Sequence, residues 1–251
     1  MKDDITLSDR QKDLLRAIIQ EFMDTAEAVG SIHLPEKYDL GVSPATIRNE
    51  MVVLARKGVI RKAHASSGRI PTSEGFKFFI DELLGEMSQL GVESEVRVRE
   101  VLFQNRFDPD KLLYEAVKNL HNLTGNTGVA LFRNRIYYHG LSGMIDMPEY
   151  QQPRRLKRLL SVLEDYDELS RVFERGDDVD IDGVSILIGE EDIGIDTFEK
   201  VAVAFGQLKL HRGETGFLSV IGPNRMDYAQ VIPTLRWMIN TINQSVVGWN
   251  G

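Results

Sequence analysis

The stretch Gly41-Val42-Ser43-Pro44-Ala45-Thr46-Ile47-Arg48-Asn49-Glu50-Met51, running on to Gly58, constrains this chain more than any other. It reads as one sharply bounded helix. The Ser43 hydroxyl is placed to accept an orphan backbone N–H at the N-cap. Pro44 takes the first helical position, where its missing N–H costs nothing. Gly58 follows the basic pair Arg56-Lys57 and suits a left-handed C-terminal cap. At about 100° per residue, Ile47, Glu50, Met51 and Leu54 share one side. Ala45, Asn49, Val52 and Arg56 share the opposite side, with Arg48 at its edge. The first side is expected to pack on a core. The second carries an amide, a guanidinium, a small residue and a methyl pair, a mixture suited to base edges in a DNA major groove. An ordinary amphipathic surface helix has the same periodicity, so the flanking sequence decides.

Before this helix, Ser8 to Thr25 reads as a helix opened by a Ser8/Gln11 capping box. Leu14, Leu15, Ile18, Ile19 and Phe22 recur in it at helical spacing. Val29-Gly30 reads as a turn. Ser31 is expected to cap a short second helix through Tyr38, against which Pro35 argues. Three helices in tandem, with the turn Asp39-Leu40-Gly41 before the third, describe a helix-turn-helix. After Gly58, Val59 to His64 reads as a strand, Ser66-Ser67-Gly68 as a turn and Arg69-Ile70-Pro71 as a returning strand, which together form a wing. Charge runs on a hairpin are often only solvated. Directly after such a helix, they read as phosphate contacts. The candidate DNA-binding residues are therefore Ser43, Ala45, Thr46, Arg48, Asn49 and Arg56 on the helix. On the wing they are Arg61, Lys62, His64, Ser66, Ser67 and Arg69, with His64 the weakest member. Thr72 is expected to cap a further helix with Phe76, Phe79, Ile80, Leu83 and Leu84 inward.

Charge distribution supports this division. The 251 residues carry net charge −8, which by itself argues against a nucleic-acid partner. Residues 1–80 hold 12 basic and 11 acidic side chains, a balance of +1, which leaves −9 for residues 81–251. Residues 41–70 hold six basic residues and one acidic, a local +5. The acidic remainder limits nonspecific attraction to phosphates. The chain has no cysteine, which rules out disulfides, thiolate metal sites and cysteine nucleophiles. No signal peptide and no apolar run of about 18 residues is read, so a cytoplasmic, non-membrane protein is expected.

The polar stretch Gly85 to Ser94 reads as a linker. The expected domains are residues 1–84, a linker 85–94, and residues 95–251. In the last, helices are expected over 96–103, 110–123, 154–173 and 226–247, the final one interrupted by Pro233. Strands are expected over 127–132, 136–141, 184–188, 201–205 and 216–221. An antiparallel sheet with packed helices is an α+β architecture.

Val29-Gly30-Ser31, the run Tyr38 to Met51, and His64-Ala65-Ser66-Ser67-Gly68-Arg69-Ile70-Pro71-Thr72 resemble the HrcA family of bacterial heat-inducible transcription repressors. The resemblance runs from about residue 5 to 84. It resumes at Pro148-Glu149-Tyr150, Leu187-Ile188-Gly189-Glu190-Glu191 and Ile221-Gly222-Pro223-Asn224-Arg225-Met226-Asp227-Tyr228. It implies an N-terminal winged helix-turn-helix followed by a GAF-like regulatory and dimerisation domain. It further implies a homodimer on a CIRCE-type inverted-repeat operator in double-stranded DNA upstream of chaperone genes. The bacterial chaperonin is implied as a partner, titrated away on heat stress. One departure stands out. Family members carry an inserted dimerisation segment after the first GAF-like strand. Here Val129-Ala130-Leu131 runs almost directly into Ile136 to Leu141, so that insert is read as absent.

No enzyme or cofactor is read. Gly222 to Met226 lacks the Lys-Ser/Thr ending of a phosphate loop and reads as a strand-to-helix turn, with Arg225 and Asp227 free to pair locally. Glu190, Glu191 and Asp192 read as an acidic surface loop, and His33, His64, His121, His139 and His211 show no ligand spacing. Two other readings stand beside the repressor. One is a regulator whose GAF-like domain binds a small molecule. The other is an enzyme or protein-interaction module that uses the winged helix for protein contact.

Overall fold

The structure is a computed structural model that describes residues 5–63, 68–85, 90–175, 180–181, 183–210 and 213–247. The chain divides into two compact units, Met1–Gly85 and Glu86–Gly251.

The first unit contains helices α1 (Asp9–Thr25), α2 (Leu34–Lys37) and α3 (Pro44–Arg56), strands β1 (Ile60–Lys62) and β2 (Arg69–Pro71), and helix α4 (Ser73–Phe78). The reciprocal Ser8/Gln11 capping box opens α1, and Ala26 closes it in the left-handed conformation with φ 57°. Leu14, Leu15, Ile18 and Ile19 are buried on α1, and the Phe22 ring lies 6.2 Å from that of Phe76. Helix α2 is shorter than the sequence predicts. It begins at Leu34 rather than after Ser31, because Pro35 is tolerated only in a first turn. Tyr38 donates to Glu21 at 2.9 Å and Lys37 also pairs with Glu21. The Lys37 hydrogen bond, aided by that of Tyr38, holds the Glu21 carboxyl below its usual range against the effect of burial. The expected helix after Thr72 is α4 followed by a π-helical turn, Phe79–Leu83, that buries Phe79, Ile80 and Leu83.

The second unit is an α+β layer structure. Helices α5 (Val92–Gln104) and α6 (Pro109–Thr124) precede strands β3 (Thr127–Phe132) and β4 (Arg135–His139). Then come α7 (Leu141–Ile145), a 3-10 turn (Pro148–Tyr150), α8 (Pro153–Glu164) and α9 (Tyr166–Phe173). Strands β5 (Asp180–Ile181) and β6 (Val184–Ile188), helix α10 (Gly189–Ile193), a second 3-10 turn (Asp196–Phe198), strands β7 (Val201–Lys209) and β8 (Thr215–Pro223), and helix α11 (Tyr228–Val247) complete it. The strands form an antiparallel sheet in the order β4-β3-β8-β7-β6-β5. Helix α6 lies on β3, β4 and β8, and α11 lies on β6, β7 and β8. On the other face Val129, Leu131, Val203, Phe205 and Ile221 pack with Leu159, Leu163, Leu169 and Phe173 of α8 and α9. Strand β3 is therefore buried along its whole length, which is why it reads as an unbroken apolar run.

Several expectations are corrected. The single helix over 154–173 is two, because Asp165 leaves helical geometry at φ −104°, ψ 110° and its carboxylate caps the Glu168 N–H at 2.9 Å. Strands β7 and β8 run further than 201–205 and 216–221, since their pairing continues from Val201↔Pro223 to Lys209↔Thr215. Helix α5 begins at Val92, inside the stretch read as linker. Glu190, Glu191 and Asp192 lie in α10 rather than a loop, and Asp192 accepts from the Ile188 N–H at 2.9 Å. Arg225 does not pair with Asp227; it reaches Glu149, while Asp227 accepts from the Gln230 N–H. Strands β3 and β4 are joined by Arg133 and Asn134 alone, both at positive φ (50° and 60°), where the pairing Phe132↔Arg135 closes a tight hairpin.

Candidate nucleic-acid interface

The residues of α3 fold as their pattern dictates. Ser43 is extended (φ −69°, ψ 156°) and its Oγ accepts from the Thr46 N–H at 3.2 Å. The Thr46 Oγ1 lies 3.0 Å from the same hydroxyl. Pro44 occupies the first turn, and Gly58 just past the end has φ +79°. Ile47, Met51 and Leu54 are buried, and Glu50 sits half-covered beside α1. It accepts from Arg10 at 2.5 Å and from Gln11 at 3.1 Å. That explains an acidic residue on the inward side: its charge is paired, and the pair fixes α3 against α1. Lys57 is spent in the same way, donating to Gln11 Oε1 at 3.2 Å and to the Thr6 carbonyl.

Ser43, Ala45, Arg48, Asn49, Val52 and Arg56 are exposed, and Thr46 is half-buried against Ser43. The exposed set forms one face that carries the helix residues expected to meet DNA, other than Thr46.

The hairpin is held close to this helix. Val59 and Ile60 are buried, so β1 emerges directly from the core under the end of α3. Its pairs are Ile60↔Pro71, Arg61↔Ile70 and Lys62↔Arg69. Thr72 donates to the Gly58 carbonyl at 2.6 Å and accepts from the Gly75 N–H at 3.0 Å, clamping both ends of the hairpin. A Cβ at Gly75 would lie 2.0 Å from the Val59 carbonyl oxygen, so only glycine allows α4 this close. A third segment joins. Val29 and Arg69 exchange backbone hydrogen bonds of 2.8 and 2.9 Å. The sequence gives no sign of this, because Val29 is an isolated bridge between remote positions.

Arg61 and Lys62 are exposed on β1. Arg69 is half-buried and its Nε is covered without a hydrogen-bond partner among the described residues. His64, Ser66 and Ser67 fall outside the described residues. The geometry thus gathers Arg48, Asn49, Arg56, Arg61 and Lys62 as solvent-facing groups on consecutive elements of one unit.

In the second unit, the three motif stretches of the sequence converge. Glu149 of the 3-10 turn accepts from Arg225 Nε at 2.6 Å and Nη2 at 3.3 Å. Their side chains are 6% and 20% exposed. Burial, with the Glu149 charge beside it, raises the Tyr150 phenol far above its ordinary value. Burial together with Asp192 and Tyr150 does the same for Tyr228. His121 and His139, remote in sequence, lie with ring centres 5.2 Å apart and tilted by 57°, but His121 Nδ1 faces the Asn126 carbonyl at 2.9 Å. No group of three His, Cys, Asp or Glu able to hold a metal exists among the described residues. No described helix is long and apolar enough to cross a membrane.

The family model described as the HrcA protein C terminal domain matches residues 92–232. A relative from Carboxydothermus hydrogenoformans, named heat-inducible transcription repressor HrcA, is 24% identical over 341 residues, covering 96% of this chain and 98% of that protein. Taking this chain's 251 residues from those 341 positions leaves at least 90 positions of the relative without a counterpart here. The protein of the same name from Streptomyces avermitilis is 40% identical over 126 residues, covering 50% of this chain and 37% of that protein. A crystal structure of a hypothetical protein superposes with a TM-score of 0.78 at 18% identity over 97% of this chain and 99% of that one, a likeness of fold. With its motif stretches in both units and a family match over more than half its length, this chain belongs to the HrcA family, whose curated members are named heat-inducible transcription repressors.

Proposed function

We propose that this chain is a repressor whose first unit is a winged helix-turn-helix, with α3 as the element that enters the major groove and β1–β2 as the wing along the phosphates. The observation that carries the reading is the division of α3. Its inward side chains are buried or ion-paired, while Arg48, Asn49, Val52 and Arg56 face solvent together. A solvated surface helix can carry the same groups, and it is the basic hairpin Arg61-Lys62 directly after them that favours a nucleic-acid partner. Asn49 pairs with adenine edges and Arg48 with guanine, as their donor and acceptor patterns allow. Arg56, Arg61 and Lys62 bind phosphates, with Ser43, Ala45 and Thr46 at the helix N-terminus and Arg69 with His64, Ser66 and Ser67 completing the contact surface.

The domain assignment follows: a DNA-binding unit to residue 84, a linker that ends where α5 begins at Val92 rather than at 94, and a GAF-like regulatory domain beyond it. Two copies bind the two halves of an inverted-repeat operator, since a two-fold protein matches a palindromic site. The chaperone-gene operator, the role of the chaperonin and release on heat rest on the family alone. The chain performs no catalytic step in this reading and works where the chromosome is.

The test is titration of full-length protein against an inverted-repeat duplex and a scrambled duplex at several salt concentrations. Arg48→Ala is expected to weaken specific binding by about 1–3 kcal/mol and narrow the difference between duplexes. Lys62→Ala is expected to weaken both duplexes equally and to flatten the salt dependence, which runs at about −0.9 per phosphate contacted. Equal affinity of wild type and Arg48→Ala for the operator at fixed salt would overturn the assignment of this face.

A further inference from the structure

Helix α5 has three faces rather than two. Val98 and Leu102 are buried, at 1% and 0% exposure. Glu93, Arg97, Glu100 and Gln104 form an exposed polar face. Between these, Val92 is 78% exposed, Val96 60% and Phe103 54%, with exposed Arg99 in the same row. At 100° per residue, positions 92, 96, 99 and 103 fall within an arc of about 60°, roughly 120° from the buried side. Their spacing of four, three and four residues is that of a coiled-coil seam. At its C-terminal end Phe107 is 50% exposed, and the Arg106 guanidinium stacks 3.6 Å over the Phe103 ring and 3.9 Å over that of Phe107. Exposed aromatics with a stacked arginine are the composition of an interface centre, not of a solvated helix.

We infer that α5 pairs in antiparallel fashion with α5 of a second copy of this chain. The occupant follows from self-complementarity. About a two-fold axis between positions 97 and 98, Val92 meets Phe103 of the second copy and Val96 meets Arg99 of the second copy. That register also brings each Arg99 beside Glu95 of the other copy, and neither residue has an ion pair among the described residues. Arg99 is thus the polar member of the seam, and fixes the register as single polar seam residues do. With 13 residues, α5 spans about 20 Å. One helix pair of that length lies at the low end of interface areas, so the dimer is weak and concentration-dependent. The inference goes beyond the repressor reading and holds in the absence of DNA.

The chain's lack of cysteine makes the test direct. Full-length Val92→Cys and Phe103→Cys, each with a single thiol, are oxidised separately and mixed. The mixture is expected to give the Val92→Cys/Phe103→Cys disulfide and the separate samples little. Disulfides mainly within the separate samples, or none in any, overturn the pairing. In sedimentation equilibrium, Arg99→Glu is expected to weaken the dimer about tenfold or more by setting two carboxylates together, and Glu95→Arg/Arg99→Glu to restore it. Both positions are exposed or half-exposed, and circular dichroism checks that the fold is kept. A wild-type chain that stays monomeric at high concentration, or an Arg99→Glu dimer as tight as wild type, overturns the inference. Loss of operator binding with the α5 dimer intact would count against the repressor reading alone.

Discussion

The Glu149–Arg225 pair links the 3-10 turn before α8 to the turn between β8 and α11, and its removal has a definite expected cost. Two oxygens meet two nitrogens at 2.6 and 3.3 Å, with the carboxylate 6% and the guanidinium 20% exposed. Charges about 4 Å apart at an effective dielectric of about 20 attract by about 4 kcal/mol. Breaking a buried pair by removing one member costs about 3–5 kcal/mol, because the remaining charge loses its closest buried partner. Arg225 retains some contact with water, which places Glu149→Leu and Arg225→Met near the lower end, at about 3 kcal/mol each. The double variant buries no charge and is expected to cost well under either single one, leaving a coupling of about 3 kcal/mol or more. Urea unfolding followed by tryptophan fluorescence reads this cleanly, since Trp237 lies on α11 of the second unit and residues 1–85 hold no tryptophan. Single costs under about 1 kcal/mol, or a double cost equal to the sum of the singles, would refute the account of a buried, coupled pair.

Other consequences follow from the same geometry. Gly75→Ala drives a methyl to within 2.0 Å of the Val59 carbonyl oxygen. It is expected to lower the melting temperature of the first unit by an amount matching about 2 kcal/mol or more, read by far-ultraviolet circular dichroism. Ser43→Ala removes the hydroxyl that caps Thr46 and is expected to cost that unit about 1 kcal/mol in the same assay. Burial, then its hydrogen bond to Asp110, pushes the Tyr137 phenol up to about 12 from 10.0. A raised folded-state value means its contribution to stability is complete below pH 10 and is lost as pH rises through about 12. An ultraviolet difference titration of wild type against Tyr137→Phe is expected to show the missing phenol ionising near 12; a midpoint near 10 would contradict it.

Local chemistry made α3 legible in the sequence. Its cap, its proline and its apolar spacing act within a few residues, and the exposed face matched the expected one at Ala45, Arg48, Asn49, Val52 and Arg56. The break between α8 and α9 was hidden because apolar residues continue at helical spacing across Asp165, and only the side chain's turn toward Glu168 ends the first helix. The ends of β7 and β8 were hidden for a different reason. Gly206-Gln207 reads as a stop, while cross-strand pairing with Phe217 and Leu218 carries the strand through. The Val29–Arg69 bridge and the Glu149–Arg225 pair join positions remote in sequence, so no local pattern announces them. The stripe on α5 was likewise invisible, because an exposed valine and a buried one look alike until the fold assigns their faces.

The account stands on α3 meeting DNA with its uncovered face, and one cross-linking measurement addresses that contact. Ala45→Cys places the chain's sole thiol on that face, and Asp81→Cys places it on the exposed turn after α4. Each is coupled to a short photoactivated probe and irradiated on an inverted-repeat duplex. Base-specific cross-links from position 45 in both half-sites, with none from position 81, are the predicted result. Cross-links from position 81 while position 45 stays silent, on a duplex the protein demonstrably binds, would contradict the account.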